Sequence, residues 1–192
     1  MHTKEELYSN KIFFNAALPL VKVIANDVPS LKKQFAHVHA IIQVSAKDPD
    51  APGGKVGMHF VVNSDEWLVH LNKVDPNPHV ELEFKSVEAM NAFFKGKMSP
   101  ATLPKMKGVV THYGAFKAFL MTLLKMSSLL GATEAPKDEA TKELMVKCFF
   151  YLLSSGISQL NKMGHEDIHD WTSKSPDRVY ARAVDGYPSV SA

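Results

Sequence analysis

The most metal-like residues of the chain are His165 and His169, because a spacing of four sets two imidazoles on one face of a helix. Their segment, Gly164-His165-Glu166-Asp167-Ile168-His169-Asp170, lacks the His-Glu-x-x-His order of a zinc protease, and it follows a glycine where a helix is expected to end. A solvated polar loop is the expectation there. Nucleophiles fare no better. No Gly-x-Ser-x-Gly elbow occurs. The single cysteine, Cys148, opens the apolar run Cys148-Phe149-Phe150-Tyr151-Leu152-Leu153, where desolvation raises a thiol pKa and leaves it inert. Gly53-Gly54 precedes no helix and lacks the Lys-Ser/Thr of a phosphate loop, so it reads as turn chemistry.

A third constellation depends on strand pairing. If Ser64-Asp65 is a two-residue loop, Asn63 faces Glu66, Phe60 faces Val69 and His59 stands opposite His70. Continuing the meander through Pro76 would pair Leu71 with Val80 and Val69 with Leu82, and so set Glu81 beside His70. His59, His70 and Glu81 would then form one row across three strands, about 5 Å apart at Cβ. Such a row could hold a divalent metal or an anionic headgroup. Solvating the sheet is the default, because polar ladders are common on wet faces.

The elements that must position these residues follow from spacing. Thr3-Lys4-Glu5-Glu6 has the form of a capping box, predicting a first helix from Thr3 to Pro19, with a second short helix over about Pro29 to Phe35. Alternation then marks strands at Val38 to Ala46, Val56 to Val62, Glu66 to Lys73 and His79 to Phe84, joined by Asp48-to-Gly54 and Asp75-Pro76-Asn77-Pro78 turns. Val38, Ala40, Ile42, Val44, Met58, Phe60, Val62, Trp67, Val69, Leu71, Val80, Leu82 and Phe84 form the apolar face. His39, Gln43, His59, Asn63, His70, Asn72, Glu81 and Glu83 form a face read as mostly wet. Ser86 caps a helix presenting Val87, Met90, Phe93 and Phe94 and stopping at Gly96; Ala101 to Gly108 reads as a last strand. A longer helix from Thr111 to Gly131 carries Phe116, Phe119, Leu120, Leu123 and Leu124. After a linker, Asp138 to Met163 forms a helix expected to bury Leu144, Phe149, Leu152, Leu153, Ile157 and Leu160, and Asp185-Gly186 signals a terminal hairpin.

The bulk numbers permit one domain with a substantial core. A chain of 192 residues buries roughly 70% of its unfolded surface. Its 45% hydrophobic and 22% charged residues are ordinary for a globular protein, and 22 Lys and Arg against 20 Asp and Glu leave only +2. The lysines are scattered singly, which argues against nucleic acid as a partner. Ile12 to Ala25 is preceded by Glu5 and Glu6 and interrupted by Asn15, Pro19 and Lys22, so no cleaved signal and a reducing, cytoplasmic setting are expected. No run of 18 uncharged apolar residues could span a bilayer.

Two helices, a meander, a helix ending in Phe93-Phe94-Lys95-Gly96-Lys97, the phrase Met98 to Gly108 and a long amphipathic helix make this chain resemble the sterol carrier protein-2 family over about residues 20–130. Lys105-Met106-Lys107-Gly108 stands at the place of that family's Lys-x-Lys-Gly strand. The resemblance implies an α+β fold in which an about five-stranded, mainly antiparallel sheet has one face covered by helices enclosing an apolar tunnel. It implies non-enzymatic binding and transfer of a sterol, fatty acid or acyl-coenzyme A, with no catalytic residues, metal or cofactor and at most transient membrane contact. Residues 1–132 would form the lipid-binding domain, and residues 133–192 a helix-and-hairpin extension packed on it. The tunnel would be lined by Phe60, Trp67, Val69, Met90, Phe93, Phe116 and Leu120, which the sheet and two helices present toward one another. Nine Met and 11 Phe suit such a pocket, since Met adapts to ligands of different shape, although the same residues also fill a solid core. The alternative is a metal protein or enzyme using the histidine-rich sheet face.

Overall fold

The computed structural model describes residues 13–94, 97, 99–130, 134 and 136–162. The expected capping box at Thr3 and the Asp185-Gly186 hairpin lie outside them. Phe13–Ala17 makes one π-helical turn. Pro19, at φ −58°, then caps helix α1 (Leu20–Asp27), whereas the sequence pattern makes it a terminator. A helix start tolerates proline because the missing N–H would have no intrahelical acceptor there. Val28, extended ahead of Pro29, separates α1 from α2 (Pro29–Phe35).

Five strands follow: β1 (His39–Lys47), β2 (Lys55–Asn63), β3 (Glu66–His70), β4 (Val80–Phe84) and β5 (Lys105–Lys107). Their order across the sheet is β3-β2-β1-β4-β5. The Ser64-Asp65 loop sets the expected register, with Asn63 opposite Glu66 and His59 opposite His70; Ser64 takes the positive φ of 60° that such a loop requires. The meander stops there. β4 does not pair with β3 but lies parallel to β1, with Gln43 opposite Glu81 and Val44 opposite Leu82. Residues 71–79 are too many for a tight hairpin and long enough to carry the chain across β2 and β1. The expected pairs of Leu71 with Val80 and Val69 with Leu82 are therefore replaced. In its new slot all five residues of β4 are buried.

β5 closes the far edge antiparallel to β4, shorter than the Ala101-to-Gly108 strand expected. Gly108 ends it at φ +72°, where a Cβ would fall 1.8 Å from the His79 carbonyl oxygen, so only glycine lets β5 come this close to the start of β4.

Three further helices cover the apolar face or its edge. Ser86 Oγ accepts the Ala89 N–H (3.1 Å) and starts α3 (Val87–Phe94) as its cap. α4 is Tyr113–Leu130 and α5 is Glu139–Lys162, the latter begun by Asp138 Oδ1 accepting the Thr141 N–H at 2.8 Å. One core cluster gathers Ile42, Val44, Met58 and Phe60 from the sheet with Leu20, Val21, Ile24, Phe35 and Phe119 from the helices. Each such side chain contributes about 1.5–3 kcal/mol when fully buried. α5 reaches this cluster through Cys148 and Tyr151, with Leu144 and Leu152 half-buried. Phe149 and Leu153, expected inside, are about half exposed, because the helix turns its Cys148–Tyr151–Ser155 stripe inward. Ile157 and Leu160 lie outside the described side chains. The Lys147 ammonium pairs with Asp27 at the end of α1, on the exposed margin of that contact.

Candidate functional site

Six of the seven expected lining residues reach the core. Phe60, Trp67, Val69 and Met90 are buried in the main cluster, and Phe93 and Phe116 pack half-buried against it. Phe60 holds its ring 5.6 Å from Trp67 and 5.9 Å from Phe119, both in tilted or edge-on contact. Leu120 is the correction. It is 38% exposed, because α4 faces the sheet with Ala115, Ala118, Phe119, Thr122 and Met126. Phe119 fills the place assigned to Leu120.

A groove of about 840 Å3 opens at the Trp67 end of the sheet, lined by Lys22, His39, Ile41, Val61, Trp67, Leu68 and His79 among others. Trp67 is its link to the interior. The indole is 2% exposed and packs on Phe35 (4.6 Å) and Phe60, yet the residue lines the groove. Lys22 donates to the Trp67 carbonyl at 2.7 Å, which places an ammonium at the margin of apolar surface. Ile41, Val61 and Leu68 are aligned across β1, β2 and β3 and form one apolar row on the face opposite the core. Its rim is polar: Ile41 N–H donates to His79 Nδ1 (2.9 Å), and His39 Nδ1 meets Asn63 Oδ1 at 2.6 Å. That row is visible in the sequence as three apolar residues at polar-face positions.

The polar face itself departs most from expectation. Gln43, Ser45, His59, Glu81 and Glu83 are all buried rather than wet, because the crossover 71–79 and two lysines cover them. The His59 Nδ1–H donates to the Lys73 carbonyl (2.9 Å), and Gln43 Oε1 accepts the Asp75 N–H (2.6 Å). His59 and His70 stack at 4.6 Å as their register demands. Glu81, however, stands beside Gln43 and not beside His70. The observed row runs His70, His59, Gln43, Glu81, Lys107 across all five strands. Among the described residues no three His, Cys, Asp or Glu side chains gather as metal ligands would.

Glu81 is instead saturated with donors. Its Oε1 accepts from Ser45 Oγ (2.6 Å), Gln43 Nε2 (2.9 Å) and Lys55 Nζ (3.3 Å), and its Oε2 from Lys107 Nζ (2.9 Å). Burial pushes its pKa up, but the bonds from Ser45, Lys107 and Gln43 and the charge of Lys55 outweigh that and hold it at about 2. The Lys107 and Lys55 ammoniums likewise lower the pKa of Glu83, and those carboxylates, Glu83 first, raise that of Lys107. A carboxylate this acidic, with its lone pairs occupied, makes a poor general base near neutral pH. Gly57 makes room for the cluster, since a Cβ there would lie 2.5 Å from the Val44 carbonyl oxygen. Cys148 fits its inert reading, with burial first and the Asp27 charge second pushing the thiol up to about 11. His165 and His169 lie outside the described residues.

No protein-family model and no curated protein matches this chain. Among solved structures it is similar to a conserved hypothetical protein from Thermus thermophilus for which a sterol carrier role has been suggested. The identity is 10% and the TM-score 0.35, over 75% of this chain and 90% of that one. So loose a likeness carries no argument about function.

Proposed function

We propose that the protein is a non-enzymatic carrier that binds one small apolar molecule, such as a sterol, a fatty acid or an acyl-coenzyme A, and transfers it. The observation that supports this reading is Trp67, a wall shared by the core aromatics Phe35 and Phe60 and by the 840 Å3 groove. Ligand sites for molecules of that size run from roughly 300 to 1,000 Å3 and combine apolar walls with a few polar groups. Displacing the indole would open the groove toward the core cluster that holds Phe60, Val69 and Met90, with Phe93 and Phe116 packed against it. Lys22, at the groove margin, would meet a carboxylate or other anionic head. Asn91 lends further support. It is 8% exposed, and its amide nitrogen has no hydrogen-bond partner among the described residues, a deficit that a ligand oxygen would relieve.

Trp67 also supplies the test. The chain has two tryptophans, so Trp171→Phe leaves Trp67 as the sole donor for energy transfer to a polyene fatty acid such as cis-parinaric acid. Saturable transfer near one probe per chain, competed by unlabelled fatty acid, is the expected result. Absence of saturable transfer, together with no lipid in an organic extract of the purified protein, would refute the carrier reading.

A further inference from the structure

Two strands bound the sheet, and they are built differently. β5 is three residues long and carries Lys105 and Lys107, the short and charged form that keeps an edge from pairing. β3 runs for five residues, pairs with β2 in unbroken register and contains neither lysine nor proline. Among the described residues no strand lies on its other side. Counted out from the Ser64-Asp65 loop, Glu66, Leu68 and His70 make their backbone hydrogen bonds to β2, which turns the N–H and C=O of Trp67 and Val69 outward. That direction is visible at Trp67, whose carbonyl accepts the Lys22 ammonium from α1 at 2.7 Å and keeps a second lone pair. Leu68 is 50% exposed and ends the apolar row that Ile41 and Val61 begin.

We propose that the β3 edge pairs with the β3 edge of a second copy of this chain, antiparallel and about a two-fold axis at Leu68. The order of residues along the strand selects both this occupant and this register. Antiparallel self-pairing that joins outward backbone groups has its axis at Trp67, Leu68 or Val69. With the axis at Leu68, Trp67 of each copy exchanges both hydrogen bonds with Val69 of the other, Leu68 faces Leu68, and a Glu66 carboxylate stands opposite a His70 imidazole at both ends. With the axis at Trp67, Leu68 would face Glu66; with the axis at Val69, it would face His70. An in-register parallel pair would set Glu66 against Glu66. A strand of another protein would gain the same backbone bonds, but the matched apolar and charged positions belong to a second copy. The apolar row then continues from Ile41, Val61 and Leu68 into the same residues of that copy and takes both Leu68 side chains out of water. Leu68 of the second copy also stands beside the 840 Å3 groove, a use that rests on the carrier reading; the pairing itself rests on the strand.

Sedimentation of the full chain over a concentration series tests this. A reversible monomer–dimer equilibrium is expected, and Leu68→Lys should raise its dissociation constant about tenfold or more, because it sets like charges face to face on the axis. The circular dichroism of that variant should be unchanged, since Leu68 is an exposed position. Oxidative cross-linking reads the register. Directly opposed, non-hydrogen-bonded residues have Cα atoms about 4.5 Å apart, within disulfide reach, so Leu68→Cys should oxidise to a covalent dimer. Glu66→Cys should not, because its two copies lie roughly 13 Å apart along the paired strands. Cys148 is buried and leaves both readouts clean. A monomer at every concentration, a dimer indifferent to Leu68→Lys, or equal cross-linking of the two cysteine variants overturns the proposal. A dimer that takes up no cis-parinaric acid removes the carrier reading alone, and a monomer that takes it up removes the pairing alone.

Discussion

Glu81→Gln at neutral pH is expected to cost about 3 kcal/mol of stability. The folded carboxyl is held at about 2 against an ordinary value of 4.5, and each unit of difference is worth about 1.36 kcal/mol. The side chain is 3% exposed, so solvent screening removes little of this. The direction with pH follows from the depressed value: the contribution is fully present above pH 4.5 and is lost as pH falls from there toward 2. At pH 3 about 1.4 kcal/mol should remain. Glutamine keeps the shape and can still accept from Ser45, but it leaves Lys55 and Lys107 with Glu83 as their only carboxylate here, and neutralising one member of a buried pair is costly. Urea unfolding followed by circular dichroism at pH 7 and pH 3 reads the difference; with a slope near 2 kcal/mol/M the midpoint should move by about 1.5 M at pH 7. If the gap between the two proteins is the same at both pH values, the loss is packing and not charge. If it is under about 0.5 kcal/mol at pH 7, the ion cluster contributes nothing that glutamine lacks.

Phe119→Ala should cost about 3–5 kcal/mol and Leu120→Ala less than about 1, because the first is fully buried and the second lies 38% exposed; the reverse order in thermal unfolding would return α4 to the orientation that puts Leu120 inside. Gly108→Ala should destabilise by more than about 2 kcal/mol, since it combines a positive φ with a Cβ 1.8 Å from the His79 carbonyl oxygen. Hydrogen exchange should then show β5 released, with faster exchange of its amides, and a variant with unchanged melting and exchange would contradict that contact.

Where a residue has only two faces to choose between, its place was legible from the chain. The register of His59 against His70 follows from a two-residue loop and from keeping Phe60 and Val69 on the same side. The partner of β4 was not legible, because Val80, Leu82 and Phe84 alternate equally well beside β3 or beside β1. α4 fails for the opposite reason. It is so uniformly apolar that Phe119 and Leu120 both looked inward, and a shift of one residue, about 100°, decides which is. Cys148, in a run apolar all round, was read correctly because any rotation of α5 would leave a small thiol in apolar surroundings, whereas the neighbouring Phe149 and Leu153 depended on that rotation.

The misread polar face shows what chose the parallel slot. Alternation tells which residues share a side of a sheet, and nothing in it says that the polar side meets water. Beside β3, Glu81 would have had His70 as its cross-strand neighbour in place of Gln43 and Ser45. Beside β1, the same glutamate meets Gln43 and Ser45 on one side and Lys107 on the other, with Lys55 reaching in from β2. Buried charge is costly unless every lone pair finds a donor. Here both oxygens of Glu81 accept from donors and Glu83 Oε2 accepts from both lysines, and the arrangement exists only when β2, β1, β4 and β5 are all in place. The four charged side chains thus act as a registry device: any slip of β4 by one residue would turn Glu81 and Glu83 into the apolar core and Leu82 out toward the lysines.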